Sequence, residues 1–508
     1  MIHSMKFHAI FKKGLIGDVL ALIAGALMTL SFAPFRIEPL AIIALALLGA
    51  LWLPVSKNLA AKRGWLFGLG LFGTGVYWVY ISIHDYGNVY PIPSLFLTLL
   101  FIAVLALFPA MVGYLLNRYF SKNDNIKLTL AFPALWVSFE WIRSWIFTGF
   151  PWLIVGYSQI HSPLKGFAPI FGVFSVSLAV LYSSVFLIKG IRSIHAKKYR
   201  VAYMQFMLLI ALWTVGGLLT LKSWTKPFGP PIKVSLVQGN IPEQLKWTSD
   251  MIQPTLDTYR KLSAPYWKSD IVIWPESAIP ITLEDASDFV NEMDAIAKKN
   301  HTTFITGIPV SEDSRYYNAV IALGDGHGFY LKHRLVPFGE YIPFRKVFHL
   351  AFDILHVPMT DFSADKNPAQ PIEAGKLKLL TFICYEIAFP EQVNFYNKDI
   401  NLLLTVNNDA WFNHSTALSQ HLEMAAMRAL EVGRPVLFVS NSGITAIIDA
   451  KGNIQSEAEP FVQTVLTDKI QPTEGRTPWQ YLKMDPVLFI IVYLLAKAAW
   501  QQRTQKYN

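Results

Sequence analysis

The sequence predicts a chain of two classes joined end to end: a multi-span α-helical membrane domain, then a layered α/β domain built for water. Three observations predict it. Of the 508 residues, 53% are hydrophobic and only 16% charged, with a mean hydropathy of +0.35. That balance lies outside the range of soluble enzymes of this size. The apolar residues are also unevenly placed, in long runs up to about Leu221 and in short runs from Ile232 to about Thr473. The short runs, finally, alternate with helical patterns, as layered α/β domains do. The expected division is 1–225 for the membrane domain with about seven transmembrane helices and 226–475 for the extracytoplasmic domain. Residues 476–508 make a C-terminal transmembrane helix and cytoplasmic tail.

Runs of about 20 apolar residues are long enough to cross a bilayer. The candidates are 15–32, 39–53, 65–83, 92–116, 128–142, 170–188, 201–221 and, near the end, 486–500. Basic residues cluster in alternate loops: Lys6, Lys12 and Lys13; Lys57, Lys62 and Arg63; Arg118, Lys122 and Lys127; Lys189, Arg192, Lys197, Lys198 and Arg200; then Lys497, Arg503 and Lys506. The loop His84-Asp85-Tyr86-Gly87-Asn88 has no Lys or Arg. By the positive-inside rule the basic loops are cytoplasmic. Both termini are then inside, and everything between the seventh and eighth spans is outside. The chain is expected in the cell inner membrane, multi-pass, with its large domain periplasmic. Reading the first run as a cleaved signal peptide moves only the mature amino terminus. The net charge of +9 belongs to these loops. No basic-aromatic module of a known kind is present, so nucleic acid is not the expected partner.

Glu140 and Arg143 stand at i,i+3 near the outer end of the fifth span. Ionisable groups at membrane depth are functional candidates, but a pair at a helix end can simply satisfy itself. The stretch from Phe150 to Val155 has an interfacial, aromatic composition, expected either where lipid approaches the soluble domain or as an aromatic belt anchor.

The linker Lys226-Pro227-Phe228-Gly229-Pro230-Pro231 opens the second domain. Strands are expected at 232–238, 271–274, 302–308, 319–323, 379–384, 402–406, 436–440 and 444–449, with helices at 286–299 and 418–432. Cys384 is the only cysteine. A lone thiol makes no internal disulfide and no cysteine metal site, so it is either a small core residue or a nucleophile. It ends a strand, the edge at which α/β sites collect chemistry. Glu276 follows the strand and Trp274-Pro275, and Lys332 follows Phe329-Tyr330-Leu331.

A thiol with a pKa of about 8.5 needs a base or a nearby cation at neutral pH. A glutamate can take its proton and return it to a leaving group. A lysine, with the Tyr385 backbone N–H, can stabilise the oxyanion of a tetrahedral intermediate. Each residue alone is an ordinary loop charge. A cysteine–histidine mechanism through His333, His414 or His421 is the lesser alternative, because nothing in the sequence places them at the nucleophile.

Glu276, Lys332 and Cys384 in this order, with Trp274-Pro275-Glu276, Leu335-Val336-Pro337-Phe338-Gly339-Glu340-Tyr341 and Cys384-Tyr385-Glu386, resemble the nitrilase (carbon–nitrogen hydrolase) superfamily. With the membrane helices and Val237-Gln238-Gly239-Asn240-Ile241-Pro242, the resemblance narrows to its membrane-anchored acyltransferase members and covers nearly the full length. It implies an α-β-β-α sandwich, with Glu276 as general base, Lys332 as oxyanion stabiliser and Cys384 as nucleophile. Glu340 and Glu386 match carboxylates beside the triad, and Tyr385 the residue after the nucleophile. Trp247 matches a tryptophan on a mobile arm, and Asn318 a polar residue lining the site.

The implied reaction moves a fatty acyl chain from a phospholipid, through a thioester, to the α-amino group of a diacylglyceryl-cysteine on an apolipoprotein. No metal or organic cofactor is expected, and monomer is the default state. An interfacial arm is expected at 341–362, where apolar residues are interrupted by Arg345, Lys346 and Asp353. The rivals are a membrane-tethered amidase that passes the acyl group to water, and a transporter or scaffold whose outer domain only binds.

Overall fold

The computed structural model describes residues 14–504, apart from 54, 121, 342–361 and 396–398. The arm expected at 341–362 therefore lies almost wholly outside the described residues. The chain forms two compact units: the segments up to Tyr80, Ile92–Ser223 and from Leu482 onward make the first, and Ile81–Pro91 with Trp224–Tyr481 the second.

The first unit is helical: Gly14–Thr29, Pro39–Trp52, Lys57–Gly75, Leu107–Tyr119, Phe132–Trp145, Val173–His195, Tyr199–Thr220 and Asp485–Thr504 are its main helices. Among the described residues three stretches are long and apolar enough to cross a membrane, Pro91–Tyr119, Val173–His195 and Tyr199–Thr220. A fourth qualifies if the pair Lys57–Gly75 and Trp78–Tyr86, bent by 55°, is one span. This is fewer than the eight apolar runs of the sequence. Pro39–Trp52 has 14 residues, about 21 Å of helix at 1.5 Å per residue, against a hydrocarbon core of about 30 Å.

Close helix contact in this unit rests on glycine. A Cβ on Gly25 would lie 1.9 Å from the Phe67 carbonyl oxygen, and one on Gly70 would lie 2.1 Å from that of Leu22. Small residues of this kind let apolar helices pack backbone to backbone. Two of the basic residues assigned to cytoplasmic loops are in fact internal. Arg63 is buried against Asp18 (3.3 Å) and the Leu51 carbonyl (2.8 Å), and Lys127 donates to Asn117 at 2.7 Å. Glu140 accepts from the Val155 N–H (2.9 Å) and Trp136 (3.2 Å), while Arg143 donates to the carbonyls of Phe150 and Trp152. Both side chains thus hold the 150–155 stretch. Trp152 is buried there and stacked on Phe150 at 6.0 Å, so the stretch from Pro151 to Val155 is packed inside the unit and is not an exposed anchor.

The second unit is a sandwich of two sheets. The six-stranded sheet runs in the order Thr464–Ile470, Ile232–Gln238, Ile271–Ile273, Thr303–Glu312, Arg315–Gly324, Phe329–Leu331. The seven-stranded sheet runs Ile454–Ala458, Thr445–Ile448, Val436–Ser440, Leu402–Asn407, Leu377–Ile383, Ile372–Ala374, Gly326–His327. Strand alternation explains the layers. Val234, Leu236, Ile271, Ile273 and Ile305 meet Leu379, Ile383, Leu404, Val406 and Leu437 in one core between the sheets. The opposite parity, Val237, Val272, Trp274 and Phe304, joins Tyr259, Met293 and Ala297 from the helices Ser249–Ser263 and Ser287–Lys299 in a second core. The helix Ala417–Val432, buried along its whole length, is packed against the other sheet. The result is the α-β-β-α sandwich.

The proline-rich linker is partly strand: Lys226–Pro227 pairs antiparallel with Thr473–Glu474. The strand expected to end at Cys384 ends at Ile383, and Cys384 opens a 3-10 turn, Cys384–Ala388. The segment Ile81–Pro91 belongs to this unit, where Ser82 donates to the Trp411 carbonyl at 2.9 Å and the Tyr86 ring lies 5.5 Å from Trp411.

Candidate active site

Three chain segments bring the site together. The first carries Glu276. Trp274 is fully buried, 4.8 Å from the Phe304 ring and 5.0 Å from Tyr259, and its indole N–H donates to Ser263 at 2.7 Å. This anchors the end of the strand, so Pro275-Glu276 turns over the neighbouring strand at Gly307. A Cβ on Gly307 would lie 2.5 Å from the Ser277 nitrogen and 2.8 Å from the Glu276 Cα. Only glycine leaves room for that approach.

The second carries Lys332. Its backbone N–H donates to the Asn318 carbonyl (2.9 Å), which continues the pairing of Phe329–Leu331 with Arg315–Gly324. Its Nζ sits 2.8 Å from Glu340 Oε1 and 3.3 Å from Glu276 Oε1. Asn318 Nδ2 donates to the same two carboxylates, at 2.7 Å to Glu276 and 3.4 Å to Glu340. Glu340 is fixed in turn by the Val336 N–H at 2.7 Å. Burial works against the lysine charge, but Glu276 and Glu340 outweigh it and hold the ammonium well above the usual lysine range.

The third carries Cys384. Its φ is +52°, a left-handed conformation that costs a non-glycine residue roughly 1–2 kcal/mol. Glu386 braces the turn. It is fully buried and accepts from the N–H of Ile383 (2.8 Å), His333 (2.8 Å) and Arg334 (2.9 Å) and from the Tyr330 hydroxyl (2.8 Å). One carboxylate therefore ties the Cys384 turn to the residues that follow Lys332. Tyr385 is partly buried, its ring edge-on to Phe389 at 4.8 Å. Burial, and then Glu276 and Asp409, push the Cys384 thiol well above its ordinary range, against Lys332 and the Asn408 N–H.

Trp247 is half exposed, and its indole N–H donates to Glu243 at 3.2 Å. Glu243 also accepts from Asn408 Nδ2 at 2.5 Å, the residue whose N–H faces Cys384. Lys246, given no role from the sequence, and His421, set aside there, both stand at this site. Lys246 is fully buried, donates to the Glu276 carbonyl at 3.1 Å, and has its pKa lowered by burial. His421 lies with Nε2 3.2 Å from the Cys384 carbonyl oxygen and Nδ1 3.0 Å from Asp409. A histidine does reach Cys384, then, at its backbone carbonyl. The available signal was weak: a lysine directly before Trp247, and an Asp and His twelve residues apart. Among the described residues no group of three or more His, Cys, Asp or Glu is arranged to hold a metal ion.

The sequence profile of the apolipoprotein N-acyltransferase N-terminal domain matches residues 24–186, and that of carbon-nitrogen hydrolases matches residues 233–478. The apolipoprotein N-acyltransferase of Coxiella burnetii is 42% identical over 485 residues, 94% of this chain and 99% of the relative. Those of Azotobacter vinelandii and Pseudomonas putida are 39% identical over 508 residues and 38% identical over 504, covering 98% of this chain in each case. They cover 97% and 99% of the relatives. With a sandwich of this kind and likeness over nearly its whole length, the chain belongs to the apolipoprotein N-acyltransferase family, an enzyme family whose catalytic unit is of the carbon–nitrogen hydrolase type.

Proposed function

We propose that this membrane enzyme transfers a fatty acyl chain from a phospholipid to the α-amino group of the diacylglyceryl-cysteine at an apolipoprotein's N-terminus, through a thioester on Cys384. The observation that supports this route is the convergence of Glu276 and Lys332, 3.3 Å apart and both buried, on a thiol whose charge each of them influences. Glu276 takes the thiol proton, and the thiolate adds to the ester carbonyl. Lys332 Nζ and the Tyr385 N–H stabilise the oxyanion. The carbon–oxygen bond then breaks, and the lysophospholipid alkoxide leaves with the proton from Glu276.

In the second half the amine attacks the thioester, Glu276 takes its proton, and the thiolate departs and is reprotonated. An α-amino group with a pKa near 8 has an appreciable neutral fraction at neutral pH. Asn318, Glu340 and Glu386 hold the charged groups in place, Trp247 borders the entrance, and no metal or organic cofactor enters any step. The enzyme acts as a monomer in the cell inner membrane, its catalytic unit periplasmic and both termini cytoplasmic. The unequal basic content of the loops supports that orientation. The proposed divisions are 1–225, 226–475 and 476–508.

Intact-protein mass spectrometry of membrane-purified enzyme beside Cys384→Ser tests the route. A fatty-acyl mass on the wild type alone is expected, removed by neutral hydroxylamine and cleared by a diacylated lipopeptide. A wild type that stays bare after incubation with phospholipid, with no lysophospholipid formed, would overturn the route. Clearance by water as fast as by lipopeptide would make it a hydrolase.

A further inference from the structure

We infer that His421, held by Asp409, is a positioning residue that polarises the Cys384–Tyr385 peptide and so strengthens its N–H as an oxyanion donor. The inference rests on the reading of Cys384 as nucleophile given above. It starts from the two neighbours of one buried ring. His421 Nε2 is 3.2 Å from the Cys384 carbonyl oxygen, and Nδ1 is 3.0 Å from Asp409 Oδ1. A backbone carbonyl only accepts hydrogen bonds, and so does an ionised carboxylate. The carbonyl has no proton to give, so Nε2 is the nitrogen that donates to it, and Asp409 at Nδ1 orients the ring. His421 and Asp409 are each only 1% exposed. Their pairing fixes the ring edge, while Phe438 and Phe412 pack edge-on at 5.2 and 6.2 Å and fix its plane.

The consequence lies on the far side of the peptide. In a planar trans peptide the C=O and the next N–H point in opposite directions. The left-handed φ of Cys384, +52°, turns this peptide so that its carbonyl meets the helix Ala417–Val432 that carries His421. The Tyr385 N–H consequently faces away from that helix. A side-chain donor on the carbonyl draws electron density through the peptide and makes the N–H a stronger donor, as chained hydrogen bonds polarise one another. The same bond holds the peptide against rotation out of its strained conformation. Asp409 acts through His421: one oxygen pairs with Nδ1, and the other accepts from the Ser440 hydroxyl at 3.5 Å.

Both tetrahedral intermediates of the proposed reaction carry their oxyanion at the same donors. Weakening one donor should therefore slow thioester formation and thioester clearance by similar factors, with the apparent KM for phospholipid little changed. Single-turnover rates of both half-reactions, in the full-length enzyme in phospholipid-containing detergent micelles, read this out. His421→Phe keeps a ring between Phe412 and Phe438 and removes the donor. It is expected to slow both steps by about 10-fold to 100-fold, since removing an oxyanion donor outright costs about 100-fold to 1,000-fold. His421→Gln restores a neutral N–H donor and should recover part of the rate. Asp409→Asn combined with His421→Gln should be no slower than the slower single variant.

Wild-type half-reaction rates in His421→Phe would overturn the inference. So would equal losses in the Phe and Gln variants accompanied by an equal drop in thermal unfolding midpoint, because the ring would then be a packing element. Cys384→Ser serves as the separate control. If it still forms lysophospholipid, the nucleophile assignment fails; if it is inactive while His421→Phe is unimpaired, only the His421 inference fails.

Discussion

Two buried carboxylates share one ammonium at this site, and the thiol beside them pays for it in acidity. Because burial, and then Glu276 and Asp409, raise the Cys384 pKa, iodoacetamide should alkylate the resting enzyme slowly near pH 7. The rate should rise with pH through 9 without a plateau; a plateau below pH 8 would contradict this. The sign for Glu276→Gln follows. Removing the carboxylate lowers the thiol pKa, so alkylation at pH 7.5 becomes faster while acyl transfer is lost for want of a base. Slower alkylation in that variant would mean that Glu276 does not act on the thiol's charge. The residues that meet here were readable in the sequence because strand ends announce themselves by composition: Ile-Val-Ile-Trp before Pro275-Glu276 and Leu-Leu-Thr-Phe-Ile before Cys384. Asn318, Glu340 and Glu386 were named only through the resemblance, and their hydrogen bonds across 22 to 56 residues of sequence are tertiary facts. His421 was seen in the sequence and set aside, since no local pattern points it at a carbonyl 37 residues away.

Elements position these groups through close backbone approach. Gly307 is the sharpest case, and Gly307→Ala should push the Pro275–Ser277 turn off the sheet. Overpacking of this kind costs about 1–3 kcal/mol, so a lower thermal midpoint and impaired thioester formation are both expected. Gly73→Ala, in a helix with open space around the added carbon, should be neutral or stabilising by up to about 1 kcal/mol. Equal behaviour of the two would refute the packing argument. Long strands with one strong face, such as Ile232–Gln238 and Val436–Ser440, were found at their observed limits. Missed elements have physical reasons. Phe329–Leu331 is three residues long, too short for a period to show. The helix Ser249–Ser263 carries Pro254 in its sixth position, which reads as a breaker although the proline still falls near the first turns. Thr464–Ile470 is a half-exposed edge strand with a polar face.

On the scale of the whole molecule, the orientation of the chain is a charge argument, and it can be tested as one. A green fluorescent protein fusion at the C-terminus is expected to fluoresce, and an alkaline phosphatase fusion there to be inactive; the reverse result would place that end outside. The sequence alone determined the division into an apolar helical part and a layered α/β part, the lone thiol and its family. Those properties are written in composition, period and local motif, which act between near neighbours in the chain. Only the tertiary structure decided that Arg63 and Lys127 turn inward, and that Cys384 leaves its strand in a left-handed turn. It also decided that His421 and Asp409 stand behind the Cys384 carbonyl. Each of these depends on two segments meeting across the fold, and the free energy of such a meeting belongs to both partners together.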